Sequence, residues 1–420
     1  MIRRAPLVRS SLGLGASRGI SGALLVLASI LVARAAGTSA LGLFGLAITA
    51  GVYASVVSDA GVSVYLLPEL GRAPRERWPA LWAEVVRFEL RSALPFVALY
   101  AVVVAAPTHG QEQLALLAAA AWWLLIRVNG CARSVFTVAE RVGAEATATV
   151  VEAAVSLAVI AAVLTASDSP ALATLGLAAG AAVGLAIRLR GLRALGVHGG
   201  RPERRARRLA REALPFAGYS ILTTLYLRID VVLLSLLATN RALGLYQPPV
   251  RFVTALIILP DALASVLLGR AARSPEGGDV KLRQEQLLAL GVPVGLVVVA
   301  LCAVVGKPVL GALYGHDFRQ AWLALTLLAA TVPVALVGAL NGNALTARGL
   351  QRRRVECLAV ASVCAVGLGI PAIAIWGYNG AAAVSVVNEV VLAVAYGVAL
   401  TAAAGRRALV LPRLGGTAAS

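Results

Sequence analysis

Uncharged apolar runs long enough to cross a bilayer recur from one end of this chain to the other; residues 287–306, for instance, contain no charged side chain. A span takes about 20 mostly apolar residues, and inside lipid only helices or closed barrels satisfy the backbone. The runs are continuous, not alternating, which selects helices over a barrel. With 59% hydrophobic residues, 14% charged and a mean hydropathy of +0.84, the 420 residues exceed what a soluble core of ordinary make-up can hide. The fold class expected is therefore an all-α integral membrane protein.

Cutting at polar and Gly/Pro-rich breaks gives spans near 14–36, 41–66, 87–106, 112–135, 146–166 and 170–195, then 213–238, 243–269, 285–306, 320–347, 356–376 and 380–403, twelve in all. The net charge of +18 would suit nucleic acid, but its distribution argues for topology. With the N-terminus inside, 32 of the 38 Lys and Arg fall at cytoplasmic ends and loops, Arg18, Arg127, Arg133 and the nine from Arg188 to Arg211 among them. Arg34, Arg241, Lys307 and Arg319 lie toward the outer face, and Arg228 and Arg251 lie inside spans. This is the positive-inside pattern, with both termini cytoplasmic and the first helix uncleaved. It makes the basic excess a matter of topology, with at most a secondary role in holding anionic lipid headgroups, and argues against nucleic acid. Cys131, Cys302, Cys357 and Cys364 sit in or at the ends of spans with no CxxC spacing, so they read as packers, not as metal ligands or disulfides.

The chain carries an internal repeat. Ala40-Leu-Gly-Leu-Phe44 returns as Ala242-Leu-Gly-Leu-Tyr246 at an offset of 202, and the same offset carries Asp59 onto Asp261 and Arg9 onto Arg211. Six spans in each half is an even number, so the halves enter the membrane in the same direction, as parallel repeats about an axis along the membrane normal. The organisation expected is an N-terminal six-helix lobe over 1–200, a basic cytoplasmic linker over 201–212, a C-terminal six-helix lobe over 213–404 and a cytoplasmic tail over 405–420. Repeats of this kind place a site between the halves near the midplane.

In order along the chain stand Ala33-Arg34-Ala35, Leu41-Gly-Leu-Phe44, Asp59-Ala-Gly-Val62, Pro68-Glu-Leu-Gly-Arg72 and Ala139-Glu-Arg141, then Leu214-Pro-Phe216, Arg228-Ile-Asp230, Leu243-Gly-Leu-Tyr246, Leu313-Tyr-Gly315, Ala347-Arg-Gly-Leu-Gln-Arg-Arg353 and Gly377-Tyr-Asn-Gly-Ala-Ala382. In that order and spacing the chain resembles the polysaccharide transporter, or oligosaccharide flippase, family of the multidrug/oligosaccharidyl-lipid/polysaccharide exporter superfamily. The resemblance implies a MATE-like fold of two lobes around an alternately opening cavity in the bacterial plasma membrane. It also implies export of an undecaprenyl diphosphate-linked oligosaccharide for surface polysaccharide, with glycosyltransferases and a polymerase of the same pathway as partners.

Moving a diphosphate and a glycan across about 30 Å of hydrocarbon needs a polar, cationic path, and arginine pairs two phosphate oxygens at once. An ionisable residue in a span costs about 2.5–3.5 kcal/mol on insertion scales, so those present are expected to work. Arg18, Arg127, Arg228 and Arg251 form the expected phosphate-contacting set, with Asn341 and Asn388 for sugar hydroxyls; the competing reading is that each arginine pairs with an acid or snorkels, and that the asparagines bond between helices. Residues two apart on a helix point about 200° apart, so Arg228 and Asp230 need separate partners. Asp230, with Glu389, reads either as a structural ion pair or as a carboxylate that couples export to H+ or Na+, the structural pair being favoured. Asp59 and Asp261, duplicated at helix ends, read as structural or as an inner gate reaching basic loop residues such as Arg72.

Enzymatic readings find little. His109, His198 and His316 fall in separate loops, and no GxxxxGK[ST] is present, so no cofactor is expected. A polysaccharide polymerase would need a substantial outer loop, and those here reach only about fifteen residues by the span boundaries. A multidrug or organic-cation antiporter on the same fold would want acidic residues in its cavity, against the arginines found.

Overall fold

The computed structural model describes residues 5–202, 206–271 and 278–410, and within them all side chains except those of 5–14, 16, 18, 104, 206, 207, 215, 258–271, 278–284 and 404–410. Every regular element among the described residues is helical. Arg18 and Asp261 thus lie outside the described side chains.

Two compact units emerge, one of Met1–Arg251 with Lys307–Ala321, the other of Phe252–Gly306 with Trp322–Ser420. The first begins with helix α1, Ala5–Asp59, which holds the first expected span and most of the second; they are separated by Gly37, whose φ of 80° leaves the helical region. Only glycine enters that region freely. The second span ends at Asp59 and does not run on to 66, because Ala60 (φ 49°) and Gly61 (φ 77°) turn the chain left-handed before α2, Val62–Arg72. A Cβ on Gly61 would collide with the backbone of Phe216 and Ala217, so the tight turn also admits close packing of the helix that carries them.

Helix α3, Trp78–Tyr100, starts well before the expected 87. Its first turns carry Trp78, Leu81, Trp82, Val85 and Phe88, all buried, at the spacing of one helical face. A single π-helical turn, Ala101–Ala105, ends it. Helices α4 (Gly110–Val138), α5 (Val142–Leu164) and α6 (Pro170–Ala194) complete the first set. Helix α6 lays Gly176, Gly180 and Gly184 against Ile160, Ser156 and Glu152 of α5, and a Cβ on Gly180 would strike Glu152 O. In lipid, where apolar burial drives little association, small residues of this kind let helices meet closely.

Then come α7 (Ala206–Leu237) and α8 (Asn240–Ala271), followed by α9 (Gly278–Tyr314), α10 (Trp322–Ala329), α11 (Thr331–Ala347) and α12 (Gln351–Val410). Helix α12 holds the last two expected spans, parted by Gly377 at φ 57°. Nine helical segments among the described residues are long and apolar enough to cross a membrane, the segment Gly19–Asp59 containing the Gly37 break. The charge-bearing helices α3 and α8 occupy the remaining expected positions, so each predicted span coincides with helix.

Within the first unit the two copies of the repeated turn pack on each other. A Cβ on Gly42 would meet Asn240 O, and one on Gly244 would meet Thr38 O. Thr38 and Asn240 are themselves related by the repeat offset of 202, as are Gly42 and Gly244. The contact is therefore reciprocal. Alanine at Gly42 or Gly244 has to force backbone away from backbone, and each is expected to destabilise the protein by about 1–3 kcal/mol. Melting in detergent checks this, with Gly367→Ala, where a Cβ meets open space, as the neutral control.

Candidate functional site

The arginines expected to work inside spans divide into two chemical situations. Arg228 of α7 and Arg251 of α8 form no hydrogen bond or ion pair among the described residues. The groups whose charge or dipole reaches Arg251 are Arg228, of the same sign, and the Tyr314 phenol at the end of α9; no carboxylate is among them. The Arg251 Nε is buried without an acceptor. A second phenol, Tyr53 of α1, lies within electrostatic reach of Arg228 and Asp230 and donates to Leu225 O at 3.4 Å. Two like charges near each other in a low-dielectric setting repel, and an arriving anion relieves both the repulsion and the missing acceptors.

Asp230, on the opposite side of α7 from Arg228, accepts from the Tyr246 hydroxyl at 2.5 Å and from the Val231 amide at 2.8 Å. Tyr246 is fully buried and is the aromatic of the second repeat copy. Asp230 thereby ties α7 to α8. The position of the first copy's aromatic, Phe44, carries no hydroxyl, so the repeat itself gave no sign of this bond.

Arg127 is in the other situation. It is 2% exposed, pairs through Nη2 with Glu89 Oε2 at 2.6 Å, and donates from the same nitrogen to Ser92 Oγ at 2.6 Å and Ser58 O at 3.2 Å. Asp59 is buried beside it and serves α2: its carboxylate accepts from Ser63 N at 3.1 and 3.2 Å and from Ser63 Oγ at 2.9 Å. The partner is thus the first turn of the next helix and not Arg72, which is exposed. Charge density at a helix N-terminus suits a carboxylate.

Arg34, read as lying toward one face, donates through Nε to Leu313 O at 2.8 Å and through Nη2 to Ala312 O. It caps the carbonyl end of α9, where a cation is favoured.

In the second unit Asn341 of α11 and Glu389 of α12 lie along one crossing. Glu389 Oε1 stands 3.4 Å from where a Cβ of Gly338 would be, and Asn341 Nδ2 stands 3.7 Å from the equivalent point of Gly397. Asn388 is buried, and its Oδ1 has no hydrogen-bond partner among the described residues.

The largest polar network among the described residues was missed by the sequence reading, which counted Arg188 among the cytoplasmic charges. Arg188 is fully buried in α6. It donates to Glu145 Oε2 and Oε1 at 2.9 and 2.8 Å, to Glu152 Oε2 at 2.7 Å, to Asn129 Oδ1 at 2.8 Å and to Thr149 Oγ1 at 3.1 Å. Arg133 adds a second pair to Glu145 at 2.9 Å. Two arginines here meet two glutamates. The available signal was Glu145, Thr149 and Glu152 at i, i+4 and i+7, one face of α5 inside an otherwise apolar run.

The sequence matches the family model described as polysaccharide biosynthesis protein over residues 7–268. A search of curated protein sequences finds no match. Among solved structures, an inward-facing multidrug resistance MATE family transporter of the MOP superfamily superposes with a TM-score of 0.76 at 14% identity, over 92% of this chain and 96% of that one. The lipid II flippase MurJ in an inward closed conformation gives 0.77 at 13% identity, over 92% of this chain and 87% of that one. At such identities the likeness is one of fold, whereas the family match covers more than half of the residues. The chain therefore belongs to the polysaccharide biosynthesis protein family and is a multi-pass membrane protein on the fold of the MOP-superfamily transporters.

Proposed function

We propose that this protein is a flippase that exports an undecaprenyl diphosphate-linked oligosaccharide across the bacterial plasma membrane by alternating access, with both termini cytoplasmic. The observation that carries the reading is the pair Arg228 and Arg251, two arginines in spans without a carboxylate partner among the described residues. An unpaired cation inside a membrane protein is costly, and persists where a ligand supplies the counter-charge. A diphosphate supplies it twice, and the planar guanidinium fork takes two oxygens at once. The lipid tail needs no site, since it stays in hydrocarbon. Asn388, buried with its Oδ1 unpartnered among the described residues, is suited to a sugar hydroxyl on the same grounds, and half-buried Asn341 adds a second amide in the same unit. The family match supports a place in polysaccharide assembly, and the fold of MATE transporters and a lipid II flippase supports transport over catalysis.

An organic-cation antiporter on the same fold is the competing reading, and an arginine-lined path repels its substrate. Deletion of the gene separates the two. The flippase reading expects surface polysaccharide to disappear and diphosphate-linked oligosaccharide to accumulate on the cytoplasmic leaflet. Normal polysaccharide together with raised sensitivity to cationic drugs would replace it with the antiporter.

A further inference from the structure

The cluster at the end of α1 does not balance its charge. Asp59 and Glu89, 7% and 3% exposed, face one base, Arg127, and the fully buried thiol of Cys131. Asp59 and Glu89 oxygens and the Cys131 sulfur all lie within 4.8 Å of one another. The charged groups acting on Glu89 are Arg127 and Asp59, and the one acting on Asp59 is Arg127. Cys131 belongs to one apolar cluster with Leu66, Val85, Phe88 and Val135. Two carboxylates and one guanidinium leave a net negative charge in a dry site, which is the arrangement that forces a proton or a cation in. The Arg188 network, built with equal numbers of acids and bases, has no such deficit.

The hydrogen bonds say where the missing charge goes. Asp59 is provided for as an anion: Ser63 donates to it from both N and Oγ, and Cys131 Sγ donates to Oδ1 at 3.9 Å. Glu89 is not. Its Oε2 stands 2.6 Å from Arg127 Nη2 as an ion pair, but both Oε1 and Oε2 are buried without a well-aligned hydrogen bond, and Oε1 is the one turned away from that contact. A metal ion is a poor fit, because a hard cation needs a shell of oxygens, whereas Asp59 is already committed to Ser63 and the third atom is a thiol sulfur.

We propose that Glu89 binds one exchangeable proton on Oε1, with Asp59 kept ionised beside it and Arg127 holding the far oxygen. Loading adds a proton from solvent to Oε1 and leaves the cluster neutral; release returns it to water and leaves two anions sharing one arginine. The four groups come from the end of α1, from α3 and from α4, and Ser63 adds the start of α2, so release loosens the point where these helices are tied. The site is separate from Arg228 and Arg251, and its existence does not depend on which substrate is carried.

Infrared spectroscopy of the full-length protein in lipid nanodiscs tests this directly. The wild type should show a carboxylic-acid C=O band that disappears as the pH is raised. Glu89→Gln should lose it, and so should Asp59→Asn, because one acid then faces one base and Glu89 ionises. The double variant should lose nothing further, and Glu152→Gln, drawn from the balanced network, should retain the band. Persistence of the full band in Glu89→Gln overturns the proposal. Melting is then compared in NaCl and choline chloride at one pH: equal values are expected, and a sodium-dependent rise abolished by Glu89→Gln would make this a sodium site and overturn the proton. Should Glu89→Gln not fold, Cys131→Ala removes one donor to Asp59 and must move the pH midpoint of the band; an unmoved midpoint counts against the assignment.

Discussion

On the flippase reading, glutamine at Arg251 is expected to cut glycan-lipid export by roughly 10- to 100-fold while raising the protein's melting temperature. The two effects have one cause. Arg251 has its Nε buried without an acceptor and senses a second arginine, Arg228, in place of an acid. Removing an uncompensated buried charge relieves a cost, so stability in the absence of substrate rises. The same removal takes away a charge-assisted contact of about 1.5–3 kcal/mol, which weakens headgroup binding by roughly 10- to 100-fold. Lysine keeps the charge but not the bidentate fork, so Arg251→Lys should fall between the two. The check is transport of a labelled diphosphate-linked oligosaccharide in proteoliposomes, paired with melting of the same preparations. Full transport by Arg251→Gln and Arg228→Gln alike would remove both from the mechanism, and a drop in melting temperature would mark them as structural anchors.

Methionine at Arg188 should fail in the opposite way, through folding. The guanidinium meets Glu145 twice, at 2.9 and 2.8 Å, and Glu152 at 2.7 Å, in a fully buried position. Cutting out one partner of such a group leaves unpaired buried charge, a loss of about 3–5 kcal/mol. That is a large part of a typical folding free energy of about 5–15 kcal/mol. Membrane abundance should collapse. Neutralising the orphaned acids in the triple variant Arg188→Met, Glu145→Gln, Glu152→Gln should restore most of it, since removing every buried charge of the network is tolerated where removing one partner is not. If Arg188→Met alone accumulates and melts like the wild type, the network carries no weight in folding.

The helices were legible because lipid imposes a long apolar run on every span, and Gly37 and Gly377 fall between the spans read on either side of them. Boundaries were less so. The second span was read through to 66 because Ala60-Gly61 and Val62 look apolar, whereas the left-handed turn there depends on Asp59 reaching Ser63. The start of α3 was missed because Arg75, Arg77 and Arg87 read as loop charges, although Trp78, Leu81 and Trp82 between them are buried. Site residues followed a simpler rule. An arginine's depth along its helix can be counted from the sequence, but its partner sits on another helix. Arg127 and Arg188 turned out to face glutamates of α3 and α5, while Arg228 and Arg251 did not, and nothing in their own helices distinguishes the two cases. Glu89 escaped notice because it falls at the edge of an expected span, beside exposed Arg91, where an acid looks solvated.

The reciprocal meeting of Gly42 with Gly244 has a bearing on ancestry. A surface that contacts its own symmetry mate, residue for equivalent residue, is the isologous patch of a two-fold dimer. Two half-length chains paired about such an axis would already make this contact, and joining them end to end would preserve it. Away from that contact the copies differ: Phe44 is apolar, whereas Tyr246 carries a hydroxyl that reaches Asp230. Where they do touch, at the two glycines, each copy still constrains the other.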